Sequence, residues 1–273
     1  MSTPTVRLWH LYPREMNIYA DRGNIAVLRE RLRRRALDLE LREGGPGETA
    51  PDGGADLVYL GGGQDRDQLA VAADLAATKA DAVRGLLGDG AVGLFVCGGY
   101  QLAGHSYRTT GGESVAGLGV LDITTTAGEG RLIGDIVLTS DLGAGSEAGR
   151  LVGYENHARR TTLGDGSETG RLVGYENHAG RTTLGDGAAA LGRVVEGHGN
   201  NGRDRTEGAV ANRTVGTYLH GPLLPKNPWL ADLLLGWALE HRYGRSFDLE
   251  PLDDRLEQAA HTAAVARAKH HRR

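Results

Sequence analysis

A single cysteine lies where a buried strand is predicted to turn into a helix. Cys97 follows the apolar run AVGLFV and precedes Gly98 and Gly99, after which QLAGHSY is typical of a helix start. Such a corner exposes a nucleophilic side chain and requires neighbours without bulky Cβ groups. The helix start also directs free backbone N–H groups at the sulfur, which favours the thiolate. The pattern predicts a catalytic cysteine, against the alternative of a buried core cysteine.

A thiolate nucleophile needs hydrogen-bond donors for an oxyanion. The backbone N–H of Gly98 is one candidate, because it follows the cysteine directly. The glycine run at the end of the preceding strand, which includes Gly62 and Gly63, supplies others. Glycine triplets are often plain turns, but this one lies one strand–helix unit before the cysteine corner.

The second catalytic group must be chosen among ten histidines. His220 ends the predicted strand VGTYLH and opens onto the loop GPLLP. A strand end that faces a loop is where a sheet enzyme keeps its second catalytic group. We predict that His220 is this group, the alternative being a structural histidine at a turn.

Strands and helices alternate in the first half of the chain. An amphipathic helix is predicted from about Ile25 to Arg35, and a longer helix follows the glycine triplet. The predicted strands are TVRLWHLY (Thr5 to Tyr12), LDLEL (Leu37 to Leu41), DLVYL (Asp56 to Leu60) and the run before Cys97. This alternation predicts an α/β fold with a mostly parallel central sheet flanked by helices.

The second half is richer in glycine and in strand patterns. DIVLTS, RLVGYENH and TVGTYLHG are the strand candidates, and an apolar helix is predicted over residues 228–244. We expect residues 1–250 to form a single domain. Residues 251–273 are polar, Ala-rich and basic, and are expected to be disordered or a frayed helix.

A block of the second half is duplicated. GRLVGYENHARRTTLGDG (149–166) recurs as GRLVGYENHAGRTTLGDG (170–187), and the copies differ only at Arg159 against Gly180. Two near-identical copies indicate a recent tandem duplication or an error in the underlying gene sequence, because structural repeats come in larger numbers and drift in sequence. We expect the second copy to occupy the native strand, since a glycine at position 180 would suit a turn that needs positive φ.

Composition narrows the class of protein further. The chain has 273 residues, a net charge of −4 and one cysteine. The charge gives no electrostatic case for nucleic-acid binding. A single cysteine excludes an internal disulfide framework and fits a reducing compartment. Since no run reaches the roughly 18 apolar residues of a membrane span, we expect a cytoplasmic protein.

The motifs resemble a known family. VCGGYQLAG, the upstream GGGQD and the late GTYLHGPLLPKNP are similar to class I glutamine amidotransferases, and GYENHAGRT is similar to the strand motif of their cobyric acid synthase-like branch. MNIYADRGN, GGGQDRDQ, GHGNNGRDRTEGA and HGPLLPKNPWLAD resemble the GatD family of lipid II isoglutaminyl synthase subunits. The similarity extends from about Leu11 to Gly244.

The resemblance implies a reaction and a partner. Cys97 would attack the side-chain amide of glutamine, and His220 would protonate the departing ammonia. The ammonia would pass to a MurT-like Mur ligase subunit in a heterodimer, which uses ATP to amidate the D-glutamate of the lipid II stem peptide. The resemblance implies no metal and no cofactor in this subunit. Arg131, in GEGRLIGD, matches the position that holds the substrate glutamine, where an arginine fork suits an α-carboxylate.

The sequence departs from the family in three places. Pro222 stands two residues after the histidine, where a full triad has a glutamate, so we expect the orienting acid to come from the partner. Ala20 replaces the glycine of a YGD motif. The duplicated block falls between Arg131 and His220, where it could displace the wall of the active site.

Three other functions remain open from the residues alone. A cobyric or cobyrinic acid amidotransferase usually carries a fused P-loop synthetase, and no GxxxxGK[ST] motif occurs here. A non-catalytic, partner-binding paralogue is opposed by the presence of Cys97, Gly98, Gly99 and His220. A cysteine hydrolase or peptidase would leave YENHAGRT and GHGNNG unexplained.

Overall fold

The computed structural model describes residues 3–18, 21–142 and 170–270. The strands are β1 (Thr5–Leu11), β2 (Asp38–Gly44), β3 (Leu57–Leu60), β4 (Val92–Val96), β5 (Ser106–Arg108), β6 (Ser114–Ala116), β7 (Ile123–Thr139), β8 (Arg171–Leu184), β9 (Gly192–Glu196), β10 (Thr206–Glu207), β11 (Ala209–Ala211) and β12 (Thr214–Thr217). The helices are α1 (Arg22–Arg33), α2 (Asp65–Thr78), α3 (Ala80–Gly88), α4 (Gly98–Ala103), α5 (Pro228–Tyr243) and α6 (Arg255–His270), with a 3₁₀ turn at Leu224–Lys226.

The first sheet confirms the predicted mostly parallel arrangement. Its strand order is β11-β12-β4-β3-β1-β2, and each neighbouring pair is parallel except β11 with β12. All five residues of β4 are buried, as expected for a central strand covered on both faces. Because these strands are parallel, the carboxyl ends of β1, β3, β4 and β12 meet at one edge, where ligands bind in open α/β sheets.

Helices supply the apolar layer around this sheet. Helix α5 packs against α1 and against strands β1 and β4. Its buried side chains Leu234 and Leu235 join a single hydrophobic cluster with Leu8, Leu94 and Phe95 of the sheet. The glycine that ends α5, Gly244, has a φ of +64°, the left-handed conformation that favours glycine after a helix.

A second sheet is built from the β-rich half of the chain. Its order is β10-β9-β7-β5-β6, and β8 also pairs with β7. Strands β7 and β8 run antiparallel from the pair Ile123–Leu184 to the pair Thr139–Arg171, with an irregularity between Ala127 and Leu132. Strand β8 comes entirely from the second copy of the duplicated block, whereas the first copy lies outside the described residues.

The C-terminal segment, which was expected to be disordered or a frayed helix, contains a helix that packs against the rest of the protein. Residues Arg255–His270 form a helix, and His261 is hydrogen-bonded through Nδ1 to the carbonyl of Lys226 at 2.7 Å. A small apolar cluster joins the helix to the second sheet; its members are Val137, Val173, Ala264, Val265 and Ala268. This packing could not be predicted from the Ala-rich sequence, because the buried stripe of the helix is narrow and its residues are small.

No helix within the described ranges is both long and apolar enough to span a membrane.

Candidate active site

Cys97 occupies the corner between β4 and α4. Its backbone has φ 53° and ψ −106°, an uncommon conformation for a residue with a side chain, and it is 7% exposed. Gly99, two residues after Cys97, donates its N–H to the carbonyl of Gly61 at 3.0 Å. A Cβ on Gly99 would overlap the carbonyl of Leu60 and lie 2.8 Å from that of Gly61, so only glycine lets the corner approach the end of β3. Strained backbone at a corner of this kind is typical of a functional site.

His220 lies just beyond the end of β12 and is fully buried. Its N–H donates to the carbonyl of Tyr175 at 2.8 Å, and the N–H of Tyr175 donates back at 3.2 Å. The YENH motif of β8 thus holds the backbone of the histidine. This pairing with a strand fixes the position of the His220 backbone, and with it the point from which the imidazole extends toward the site.

Gly62 lies between the cysteine and the histidine. A Cβ built on Gly62 would lie 2.9 Å from Cε1 of His220 and 3.1 Å from Cβ of Cys97. The two predicted catalytic side chains therefore approach the same point, although they come from distant parts of the sequence. Any side chain at position 62 would be forced between them.

The environment of His220 favours its charged form. Burial, the largest influence, opposes protonation, but it is outweighed by the charge and hydrogen bond of Cys97 and by Asp21. Together these raise the pKa of His220 from 6.5 to about 10. The charged form of His220 is therefore favoured directly beside Cys97.

A carboxylate of this chain lies beside His220. Oδ1 of Asp21 is 3.5 Å from Nδ1 of His220, and Oδ2 of Asp21 accepts the N–H of Gly62 at 2.8 Å. Asp21 is fully buried. The sequence reasoning missed Asp21, because it looked for the acid two residues after His220, found Pro222 there and expected the acid to come from the partner. The side chain of Pro222 packs against Gly23, and its Cγ lies 2.5 Å from the position of a Cβ built on that glycine. The available signal was an aspartate just before a helix, inside the motif MNIYADRGN.

The glycines predicted to stabilise an oxyanion have different roles. The N–H of Gly62 donates to Asp21 and is therefore not free to bind an oxyanion, contrary to the prediction. A Cβ built on Gly98 would lie 3.2 Å from the backbone nitrogen of Gly63. The backbone segments at Gly63 and Gly98 are therefore close together beside Cys97. Gly63 and Gly98 therefore stay the candidate donors.

Arg131 lies on β7 and is exposed. Its Nε donates to Oδ1 of Asn177 at 2.6 Å, and Nη2 donates to the carbonyl of Asn177 at 2.8 Å. The arginine is thus oriented by the YENH motif, the same strand that holds His220. Its role in binding the glutamine carboxylate stays a prediction.

A buried polar chain, missed by the sequence reasoning, supports the corner. Gln101, whose N–H donates to the carbonyl of Cys97 at 3.0 Å, accepts from Nε2 of Gln68 at 2.8 Å and donates to the hydroxyl of Tyr218 at 3.3 Å. The hydroxyls of Tyr218 and Thr182 lie 2.7 Å apart. Glutamines and threonines are too common in loops and strands for the pattern to indicate such a network.

The duplicated strand contacts this network through Gly180. A Cβ on Gly180 would overlap Nε2 of Gln101 and lie 2.6 Å from the hydroxyl of Tyr218. The expectation of positive φ at Gly180 is wrong, because this glycine lies within β8 and is not among the positive-φ residues. Glycine is required here for close approach, and Arg159, its counterpart in the first copy, would not fit.

Two further points concern the expected departures and ligands. Ala20 lies outside the described residues. Within the ranges that the structure describes, no group of three or more His, Cys, Asp or Glu side chains could hold a metal ion.

Comparison with known proteins identifies a family. The family model for the CobB/CobQ-like glutamine amidotransferase domain matches residues 7–173 and 163–228, two ranges that overlap within the duplicated block. The chain is 35% identical to the lipid II isoglutaminyl synthase (glutamine-hydrolysing) subunit GatD of Staphylococcus aureus, over 96% of this chain and 95% of that protein. It is 34% identical to the protein of the same name from Streptococcus pneumoniae, over 91% and 86% respectively.

A solved structure agrees at the level of the fold. The PurLQS structure from Thermotoga maritima has a TM-score of 0.51 and 14% sequence identity, covering 89% of this chain and 97% of that one. At this identity the likeness shows the fold alone.

Proposed function

Because this chain belongs to the CobB/CobQ-like glutamine amidotransferases, and within them to the GatD family, we propose that it releases ammonia from L-glutamine for the amidation of lipid II. One observation carries the proposal: Cys97 and His220 approach each other across Gly62, at the carboxyl edge of the parallel sheet. A cysteine on a strained corner beside an imidazolium is suited to acyl transfer from an amide.

The first step forms a thioester. The thiolate of Cys97 attacks the side-chain carbonyl carbon of glutamine, and the developing oxyanion accepts the N–H groups of Gly63 and Gly98. The imidazolium of His220 gives its proton to the leaving nitrogen, so that the C–N bond breaks and ammonia departs. The glutamyl group is left on the sulfur.

The second step restores the enzyme. His220, now neutral, accepts a proton from water, and the hydroxide attacks the thioester carbonyl. The C–S bond breaks, glutamate leaves, and the thiolate–imidazolium pair re-forms. Arg131 is proposed to bind the α-carboxylate of the substrate through its guanidinium fork.

The ammonia is used by a partner. The two GatD relatives are named as subunits of a glutamine-hydrolysing lipid II isoglutaminyl synthase. We propose that this chain forms a heterodimer with a MurT-like Mur ligase, which uses ATP to activate the D-glutamate carboxylate of the lipid II stem peptide. We further propose that the present subunit needs no cofactor of its own for glutamine hydrolysis, and that the reaction takes place in the cytoplasm, where ATP is available to the ligase.

The partner is also expected to affect the orientation of His220. The Asp21–His220 distance of 3.5 Å is at the outer limit of a hydrogen bond. We therefore keep the expectation that the ligase subunit completes the orientation of His220, and that the isolated chain is a weak glutaminase.

Glutamate release from glutamine tests the proposal. The isolated chain is expected to hydrolyse glutamine slowly, and addition of a MurT-like ligase should raise kcat more than it changes KM. Full activity without the ligase would show that all orienting groups lie within this chain. Absence of glutamate release both with and without the ligase would instead favour a non-catalytic, partner-binding subunit.

A further inference from the structure

Asp21 connects two parts of the site that come from distant segments of the chain. One carboxylate oxygen accepts the N–H of Gly62 at 2.8 Å, and the other faces Nδ1 of His220 at 3.5 Å. Gly62 immediately precedes the candidate oxyanion donor Gly63. A single side chain thus touches both the candidate acid–base residue and the loop that carries an oxyanion donor.

The carboxylate is not used in the way its position at the helix start would suggest. Asp21 is the N-cap residue of α1, yet its side chain makes no capping hydrogen bond. It is fully buried, and a buried charge is costly unless it is paired and hydrogen-bonded. The Gly62 N–H supplies a hydrogen bond, the imidazole of His220 faces the other carboxylate oxygen, and Asp21 favours the charged form of His220.

The backbone of Asp21 is itself held firmly. Its carbonyl accepts the hydroxyl of Tyr59 at 3.1 Å and the N–H of Asn24 at 3.0 Å. The side chain of Asn24 donates to the same Tyr59 hydroxyl at 3.1 Å and accepts the N–H of Leu224 at 2.9 Å. Leu224 lies four residues after His220, so the start of α1 is fastened to the loop that follows the histidine.

We propose that Asp21 is a positioning residue that orients the imidazole of His220 through Nδ1 and fixes the glycine loop through Gly62. This inference rests on the proposed glutaminase function. With Nδ1–H directed at Asp21, the imidazole is biased toward one orientation, which the ligase subunit is expected to complete, and Nε2 is left for the thiolate and for the leaving ammonia. The same contact sets the distance between the loop donor at Gly63 and the corner donor at Gly98.

Asp21→Asn is the first test, since it removes the charge but keeps the size. In ¹⁵N-histidine NMR of the full chain, with His220→Gln assigning the signal, we expect the pKa of His220 to fall by about 1 or more, because a carboxylate within roughly 4–6 Å shifts such a group by about 1–3. In the complex with the ligase, kcat should fall by about 10² to 10⁴, with KM changed far less.

Asp56→Asn is the matched control. Asp56 is also a buried aspartate (5% exposed), but it precedes β3 and binds the N–H of Arg7 at 2.7 Å, with Arg242 nearby at 3.2 Å. Its loss should lower stability and leave both the His220 titration and kcat unchanged. A purely structural role for Asp21 predicts that the two variants behave alike, which would overturn the inference.

A second isosteric pair covers the case in which Asp21→Asn does not fold. Asp21→Glu retains the carboxylate and Asp21→Gln does not, so Asp21→Glu should keep the higher kcat and the higher pKa of His220. Equal values for the pair would overturn the inference.

Failure of the proposed function gives a different result. A wild-type chain without glutaminase activity, in which Asp21→Asn still lowers the pKa of His220, would refute the reaction and support the positioning contact. An active wild type, together with an Asp21→Asn variant whose kcat and His220 pKa are unchanged, would support the reaction and refute the positioning contact.

Discussion

The backbones of Tyr175 and His220 are paired by two reciprocal hydrogen bonds, of 2.8 and 3.2 Å. Tyr175 belongs to the second copy of the duplicated block, and His220 is the candidate acid–base residue. The copy that fills β8 therefore also determines where the histidine lies. This relationship makes the choice between the two copies a question about activity as well as about the fold.

Deleting residues 149–169 should remove the first copy without loss of activity or stability. We expect glutaminase activity to be kept and the free energy of unfolding to be unchanged or higher. The inserted segment lengthens a connection, and closure entropy grows by only about 0.6 kcal/mol per doubling of a loop. Urea unfolding of the full chain and of the deletion variant measures the difference.

The same deletion with Gly180→Arg is the matched control. It places the arginine of the first copy in β8, where even a Cβ would lie 2.6 Å from the hydroxyl of Tyr218. We expect loss of glutaminase activity and a destabilisation of more than about 2 kcal/mol, through overpacking of a buried network. A stable, active arginine variant would mean that either copy can fill the strand.

Limited trypsin digestion gives an independent prediction. Early cleavage is expected after Arg150, Arg159 or Arg160 of the first copy. Cleavage after Arg171 and Arg181 should be late, because both lie within β8, and Arg181 also donates to the carbonyl of Glu129 at 3.1 Å. Mass spectrometry of the first fragments identifies the sites, and early cutting at Arg181 with protection at Arg159 would reverse the assignment.

Replacing Cys97, the candidate nucleophile, should abolish glutamine hydrolysis and leave the fold intact. Cys97→Ser and Cys97→Ala are both expected to reduce glutamine hydrolysis to background, because a serine hydroxyl lacks the reactivity of the thiolate. Circular dichroism and urea unfolding check that the variants are folded. A diazo-ketone analogue of glutamine should modify Cys97 and no other residue, so labelling elsewhere, or a serine variant with near-native turnover, contradicts the assignment.

The raised pKa of His220 predicts a pH-dependent contribution to stability. The folded pKa of about 10 lies above the ordinary value of 6.5. The contribution should be fully present below pH 6.5 and lost as the pH rises through about 10. The difference in unfolding free energy between the wild type and His220→Gln should therefore shrink from pH 6 to pH 10, and a constant difference would contradict the thiolate–imidazolium pair.

Local patterns were enough to predict Cys97 and His220 as the candidate catalytic pair, and the structure brings their side chains together at Gly62. Cys97 stands out because a buried strand, a cysteine and two glycines form a local signal for a strained corner. His220 stands out because it ends a strand in a parallel sheet, and such ends share one edge. Both inferences need only secondary structure and the direction of the strands.

The supporting contacts could not be predicted in the same way. Asp21 faces His220 only because α1 and the loop after β12 pack together, which depends on tertiary structure. The need for glycine at position 180 was foreseen for the wrong reason, since the contact with Gln101 comes from another element. A close approach between two elements does not alter the hydrophobic periodicity of either one, so the sequence pattern cannot reveal it.

The C-terminal helix supplies the last prediction. Val265 is 4% exposed and packs with Val137 and Val173 of the second sheet, whereas Leu256, on the same helix, is 83% exposed. Val265→Asp should destabilise the protein by about 3 kcal/mol or more, because it buries an unpaired charge. Leu256→Asp, the matched control, should change the free energy of unfolding by less than about 0.5 kcal/mol. Urea unfolding of the two variants decides the matter: equal, small effects would mean that residues 255–270 do not pack on the second sheet in solution.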